Sequence, residues 1–178
     1  MNGRTVLKWE AAGAFFIIVL GTLLHFCFEW SGGFAPCALF CAVNESVWEH
    51  LKLAFWPGLF FALLEFVLWG YKAANFIVAK AVSIYLMPVA IAVFFYGYTA
   101  ISGTHLLILD ILIFVISVLL GQLTSYCIIK SIKNYSKFNK AALLLLAALT
   151  LAFSLLTYFA PDFELFIDPR TGEAGIPD

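Results

Sequence analysis

Five apolar runs, each about as long as a bilayer core requires of a helix, constrain this chain more than any other feature. They fall near residues 7–28, 44–71, 76–100, 104–129 and 141–160, and leave a polar tail over 161–178. A hydrocarbon core about 30 Å thick takes roughly 20 helical residues to cross. Inside it only helices or closed barrels satisfy the backbone, and runs this long are helical. The expected fold is therefore all-α, a polytopic transmembrane helical bundle of five spans in a single domain. Composition agrees: 63% of the 178 residues are hydrophobic and only 12% are charged. A soluble domain of this size could not bury so much apolar surface. The net charge of −1 gives no general attraction to nucleic acid, so no nucleic-acid partner is expected.

The first run closes on His25-Phe26-Cys27-Phe28-Glu29-Trp30 instead of the small residues of a cleavage site, which reads as a retained helix. The second offers Asn44 as a cap, with Glu45 and Ser46 in the first turn and Pro57 as a kink. Its 28 residues would extend roughly 42 Å, so the first turns would lie in the headgroup zone. Trp30, Trp48 and Trp56 toward one boundary, with Trp69 and Tyr71 toward the other, read as interfacial belts.

The few charges are divided between the two ends. Arg4, Lys8, Lys72, Lys80, Lys130, Lys133, Lys137 and Lys140 are assigned to one side, opposed by Glu10. Glu29, Glu45, Glu49, Asp110 and the acidic tail fall on the other, with Lys52 and Arg170. The positive-inside rule then places the N-terminus in the cytoplasm and the C-terminus outside, in agreement with an odd number of spans. Cys27, Cys37 and Cys41 would face the outer compartment, where a pair of them could bridge or all could remain free; Cys127 would face inward.

All three histidines fall at a similar depth on the acidic side, each on a different span. Ionisable groups in or near spans are the first candidates for function. Glu45 and Glu49 stand at i and i+4, on one face of the expected helix, where like charges repel unless something neutralises them. Zinc or another divalent metal would do so, taking imidazole nitrogen and carboxylate oxygen. The expected ligands are His25, Glu45, Glu49 and His105. His50 is the alternate, since it lies about 100° round the helix from Glu49. Glu45, Glu49 and His50 are the candidate catalytic groups; Asn44, Lys52, Asp110 and Arg170 would bind substrate or support the ligands. Five residues separate His105 from Asp110, about 140° on a helix, so they are not expected to pair. Glu65, inside the second span, must be protonated or paired. The bland alternatives are a Glu49–Lys52 helix ion pair, a Ser46 cap and a tail that merely covers the bundle end. Ser46 and His50, at i and i+4, could also form a nucleophile–base pair.

The block Asn44-Glu-Ser-Val-Trp-Glu-His50-Leu-Lys52, with His25 and Trp30 before it and Phe166-x-Asp168-Pro-x-Thr171-Gly172 after it, resembles an uncharacterised family of small bacterial multi-pass membrane proteins. The resemblance implies placement in a bacterial cytoplasmic membrane, in a Gram-positive lineage, and implies no activity. Three functions follow from the residues. One is metal-dependent hydrolysis of a lipid or lipid-linked substrate near the outer leaflet. A second is a small-solute or cation transporter, which five spans without an inverted repeat would support only as a homo-oligomer. The third is a non-catalytic binding or assembly protein, with the polar cluster as a structural network. Membrane lipids are the expected partners in each case.

Overall fold

The computed structural model describes residues 2–177. Among these residues, five helices are long and apolar enough to cross a membrane. They are α1 (Gly3–Trp30), α2 (Val47–Leu68), α3 (Phe76–Ser102), α4 (Leu107–Ile129) and α5 (Asn139–Leu155). Asn2 starts α1 by accepting the Thr5 backbone N–H on its side chain at 2.8 Å. α3 stops at Gly103, whose φ of 72° is the left-handed cap that glycine adopts without a Cβ penalty.

α2 and α3 form the centre of the bundle, and α5 lies at its edge against α3. The main apolar core draws on all five helices, including Ile17, Phe55, Ile84, Met87, Val118 and Phe153, and a smaller cluster packs Val6, Trp69 and Phe76. Outward-facing Phe15, Ile108 and Leu144 are exposed, as side chains that meet lipid should be. The connections alternate between the two ends. The α1–α2 loop, the α3–α4 turn and the tail after α5 therefore gather at one end, and the lysine-rich connections gather at the other.

Three expectations change here. Helix α2 begins at Val47 and not at Asn44, because Ser46 is the cap: its hydroxyl accepts the Glu49 backbone N–H. Asn44 instead accepts the Ser46 N–H in the preceding turn. Helix α4 begins at Leu107, so His105 precedes it. Lys80, counted above with the loop charges, lies inside α3 and is buried. Seven basic residues remain at that end, in its connections and the adjoining first turns of α1 and α5, still a clear excess.

Pro57 sits within α2 without ending it. Proline has no N–H for the carbonyl four residues back, and its ring crowds that carbonyl outward. The carbonyl is that of Leu53, and it faces Gly21 of α1: a Cβ on Gly21 would lie 2.5 Å from the Leu53 oxygen. The bare glycine thus lets α1 close on the proline-displaced backbone, as small residues do between membrane helices. Gly21→Leu is expected to lower stability by about 1–3 kcal/mol. Gly97→Leu, where nothing lies within 4 Å of the added carbon, should leave it unchanged. Thermal unfolding in mild detergent checks both, and equal midpoints for the two variants would remove this account of the α1–α2 contact.

A candidate metal centre at one end of the bundle

His25 projects one helical turn beyond Gly21 on α1, His50 lies in the first turn of α2, and Glu45 lies in the bend just before α2. The three converge. Glu45 Oε2 is 3.8 Å from His25 Nε2 and 3.5 Å from His50 Nε2. The three ligand atoms lie within 4.8 Å of one another. These separations are longer than hydrogen bonds, and they approach the roughly 3.3 Å edge of a tetrahedral zinc site with ligands at about 2.0–2.1 Å. All three side chains are part-buried, so the centre remains open to water.

Backbone geometry prepares His50 for this role. Its Nδ1 lies 2.9 Å from the Ser46 carbonyl oxygen. A carbonyl only accepts, so Nδ1 is the donor in this contact, which leaves Nε2, on the Glu45 side, as the ring's free ligand atom. This is the support that metal-bound histidines generally have. The rings of His25 and His50 meet edge to face with centroids 5.1 Å apart.

Glu45 is held from the other side by the tail. Its second oxygen, Oε1, is 3.2 Å from Arg170 Nη1, and its backbone N–H donates to Asp168 Oδ2 at 3.1 Å. The tail is itself shaped around Asp168, which accepts the Arg170 N–H on Oδ1. A bridge between Ile167 and Ala174 closes the turn, and Asn44 donates to the Gly175 carbonyl at 2.8 Å. Phe166 anchors the segment by packing on Trp48, which packs in turn on Phe153 of α5. A disulfide joins Cys27 at the end of α1 to Cys41 in the α1–α2 loop; Cys37 is free.

The ligand set expected from the sequence is not assembled as written. Glu49 turns into the bundle and is 2% exposed. Its Oε2 is 2.6 Å from Lys52 Nζ and accepts the Val43 N–H, while Oε1 accepts the Thr157 hydroxyl at 3.0 Å. Both oxygens are thereby committed, away from the two imidazoles. Lys52 is fully buried and completes its shell with the Ala38 carbonyl and Thr157 Oγ1, so it contacts no open site. His105 stands apart in the α3–α4 turn and is paired at 3.2 Å with Asp110, whose other oxygen accepts the Tyr98 hydroxyl. Tyr98 also accepts the Leu106 N–H, so this second group pins the turn. His105 and Asp110 meet because His105 is in extended chain before α4, where helical angles do not apply.

Sequence reasoning missed Thr157 and Asp168. Thr157 looks like any hydroxyl at the end of an apolar helix. Asp168 carries a turn signal in Asp-Pro-Arg-Thr-Gly, which says nothing of a partner 123 residues earlier. The fold and this site together define a multi-pass membrane protein with a His–Glu–His cluster at one end of its bundle. The chain belongs to a family of unknown function, DUF6512, whose model matches residues 2–176. No curated protein and no solved structure matches it.

Proposed function

We propose that His25, Glu45 and His50 hold one divalent metal ion, zinc foremost, and that the protein hydrolyses a lipid or lipid-linked substrate at the outer face of a bacterial cytoplasmic membrane. The observation that carries this reading is the approach of three ligand atoms, contributed by α1, α2 and the loop between them, to within 4.8 Å at a part-buried, water-accessible position. Two histidines and one carboxylate with a fourth position left to water form a donor set of catalytic zinc. Such a metal lowers the pKa of its water and supplies hydroxide at neutral pH. The hydroxide would add to the scissile ester, and the proton would leave with the departing alcohol. Arg170 stands on the far oxygen of Glu45 and is largely exposed, placed to hold an anionic headgroup beside the metal.

The excess of basic residues at the other end and the Cys27–Cys41 disulfide at this one both favour an outward-facing site. A transporter would need a polar path along the helices. Instead Ile17, Ala54, Phe55, Met87 and Val118 fill the middle of the bundle with apolar side chains. That layer favours surface chemistry over passage.

The test is hydrolysis of ester- and phosphate-linked lipids by protein in lipid vesicles, before and after chelation, with zinc added back. Chelation should abolish the activity and zinc should restore it. Arg170→Ala should lower kcat/KM for anionic lipids on the order of tenfold, with fold and metal content unchanged, because an ion pair this exposed is worth about 0–1 kcal/mol to stability. Undiminished activity in the chelated protein would end the reading.

A further inference from the structure

A second polar group lies at the opposite end of the helices and takes no part in the metal centre. Glu10 of α1, Glu65 of α2, Lys80 of α3 and Ser125 of α4 meet inside the bundle. Lys80 Nζ donates to both Glu10 oxygens, at 2.9 and 2.8 Å, and stands 2.5 Å from Glu65 Oε2. Ser125 donates to Glu10 Oε1 at 2.8 Å. The face of Phe76 covers the same ammonium with its ring centroid 5.6 Å away. Glu10, Glu65 and Lys80 are 2%, 0% and 4% exposed.

The charges here do not balance. Two carboxylates face one ammonium; α4 adds only the uncharged Ser125 and Gln122. A buried net charge is costly, and two carboxylates in one site do not both stay ionised when a proton is available. Hydrogen bonding is short in the same direction. Lys80 divides its three hydrogens between the two Glu10 oxygens and Glu65 Oε2, and Ser125 gives its one to Glu10, while Glu65 Oε1 has no partner among the described residues. The Gln122 side-chain oxygen, one turn before Ser125, is likewise buried without one; its amide lies against Gly13, one turn after Glu10. Both of these atoms are acceptors, so what each side chain lacks is a hydrogen.

We infer that Glu10 and Glu65 form a membrane-embedded proton-binding site that holds one exchangeable proton between them beside Lys80. Uptake converts the Glu65 carboxylate to a carboxylic acid, and release returns the proton to water; nothing is oxidised. The route is short. Glu65 lies three residues from the end of α2, Lys80 four from the start of α3 and Ser125 four from the end of α4. Each is about 4.5–6 Å along its helix from the lysine-rich face. Along α1, Glu10 and His25 are separated by roughly 22 Å of helix, so the proton site and the metal centre are independent.

Infrared spectroscopy of the full chain in lipid discs at neutral pH reads the proton directly, as a carboxylic-acid carbonyl band that shifts in heavy water. The wild-type protein should show one such band. Glu65→Gln and Glu10→Gln should each lose it, because one carboxylate then faces one ammonium and ionises. Absence of the band from the wild type, or its survival in either variant, overturns the proposal. Glutamine reproduces the shape of the protonated acid, so Glu65→Gln should retain the wild-type helicity and elution volume. If Glu10→Gln fails to fold, the wild-type spectrum and that of Glu65→Gln decide the matter.

Discussion

Purified protein should bind one zinc ion per chain, and His50→Ala should weaken that binding by at least the ~10–100-fold that loss of a mere supporting group costs a metal site. His50 is the sharpest position for this test because its Nδ1 is already engaged by the Ser46 carbonyl. The ring is held before any metal arrives, so substitution removes a pre-aimed ligand and not a mobile one. His25→Ala and Glu45→Ala should behave alike, since each supplies one of the three converging atoms. His105→Ala is the control: it belongs to the Asp110 group and should bind zinc as the wild type does. Competition against a chelator of known affinity, followed by metal analysis, gives the constants. Equal affinity in His50→Ala and the wild type would remove the metal centre, and with it the hydrolase.

The second large effect is on stability. Lys52→Met should cost about 3–5 kcal/mol, the usual consequence of stranding one member of a buried ion pair. The substitution leaves the Glu49 carboxylate in the bundle with only the Thr157 hydroxyl and the Val43 N–H for company. It also deprives the Ala38 carbonyl of its donor. Combining it with Glu49→Leu removes the uncompensated charge and should recover part of the loss, though the Val43 N–H and the Ala38 carbonyl remain unpaired. Chemical unfolding in detergent is the measurement. A Lys52→Met protein as stable as the wild type would mean that the pair is inert. The same network reaches the His25–Glu45–His50 cluster indirectly, because Glu49 fixes Val43 two residues before Glu45.

Hydropathy alone was enough for the five spans, since a bilayer leaves a chain of this composition few other options. It also located the end of the bundle where His25, Glu45 and His50 meet. Choosing among those residues required knowing where helices begin. With Asn44 as the cap, Glu45 and Glu49 share a face and His50 turns away. With Ser46 as the cap, Glu45 is in the bend before the helix, free to point at His50. A shift of two residues in one helix start therefore exchanged Glu49 for His50 beside Glu45. The same kind of shift at α4 made partners of His105 and Asp110. Lys80 was hidden for another reason. So near the start of a span it counts with the charges of the adjoining connection, and Glu10 and Glu65 arriving from α1 and α2 explain why it is buried.

The clasp of Asp168 and Arg170 on Glu45 also sets a timetable. A ribosome delivers Glu45 long before Asp168, with α2 to α5 still to be made in between. Until the last of those helices has been threaded through the bilayer, the Glu45 backbone has no Asp168 to hold it and its carboxylate no guanidinium beside it. The His25–Glu45–His50 cluster is thus finished only when insertion is finished, and a chain stalled midway through the membrane would carry both histidines with Glu45 still unclasped.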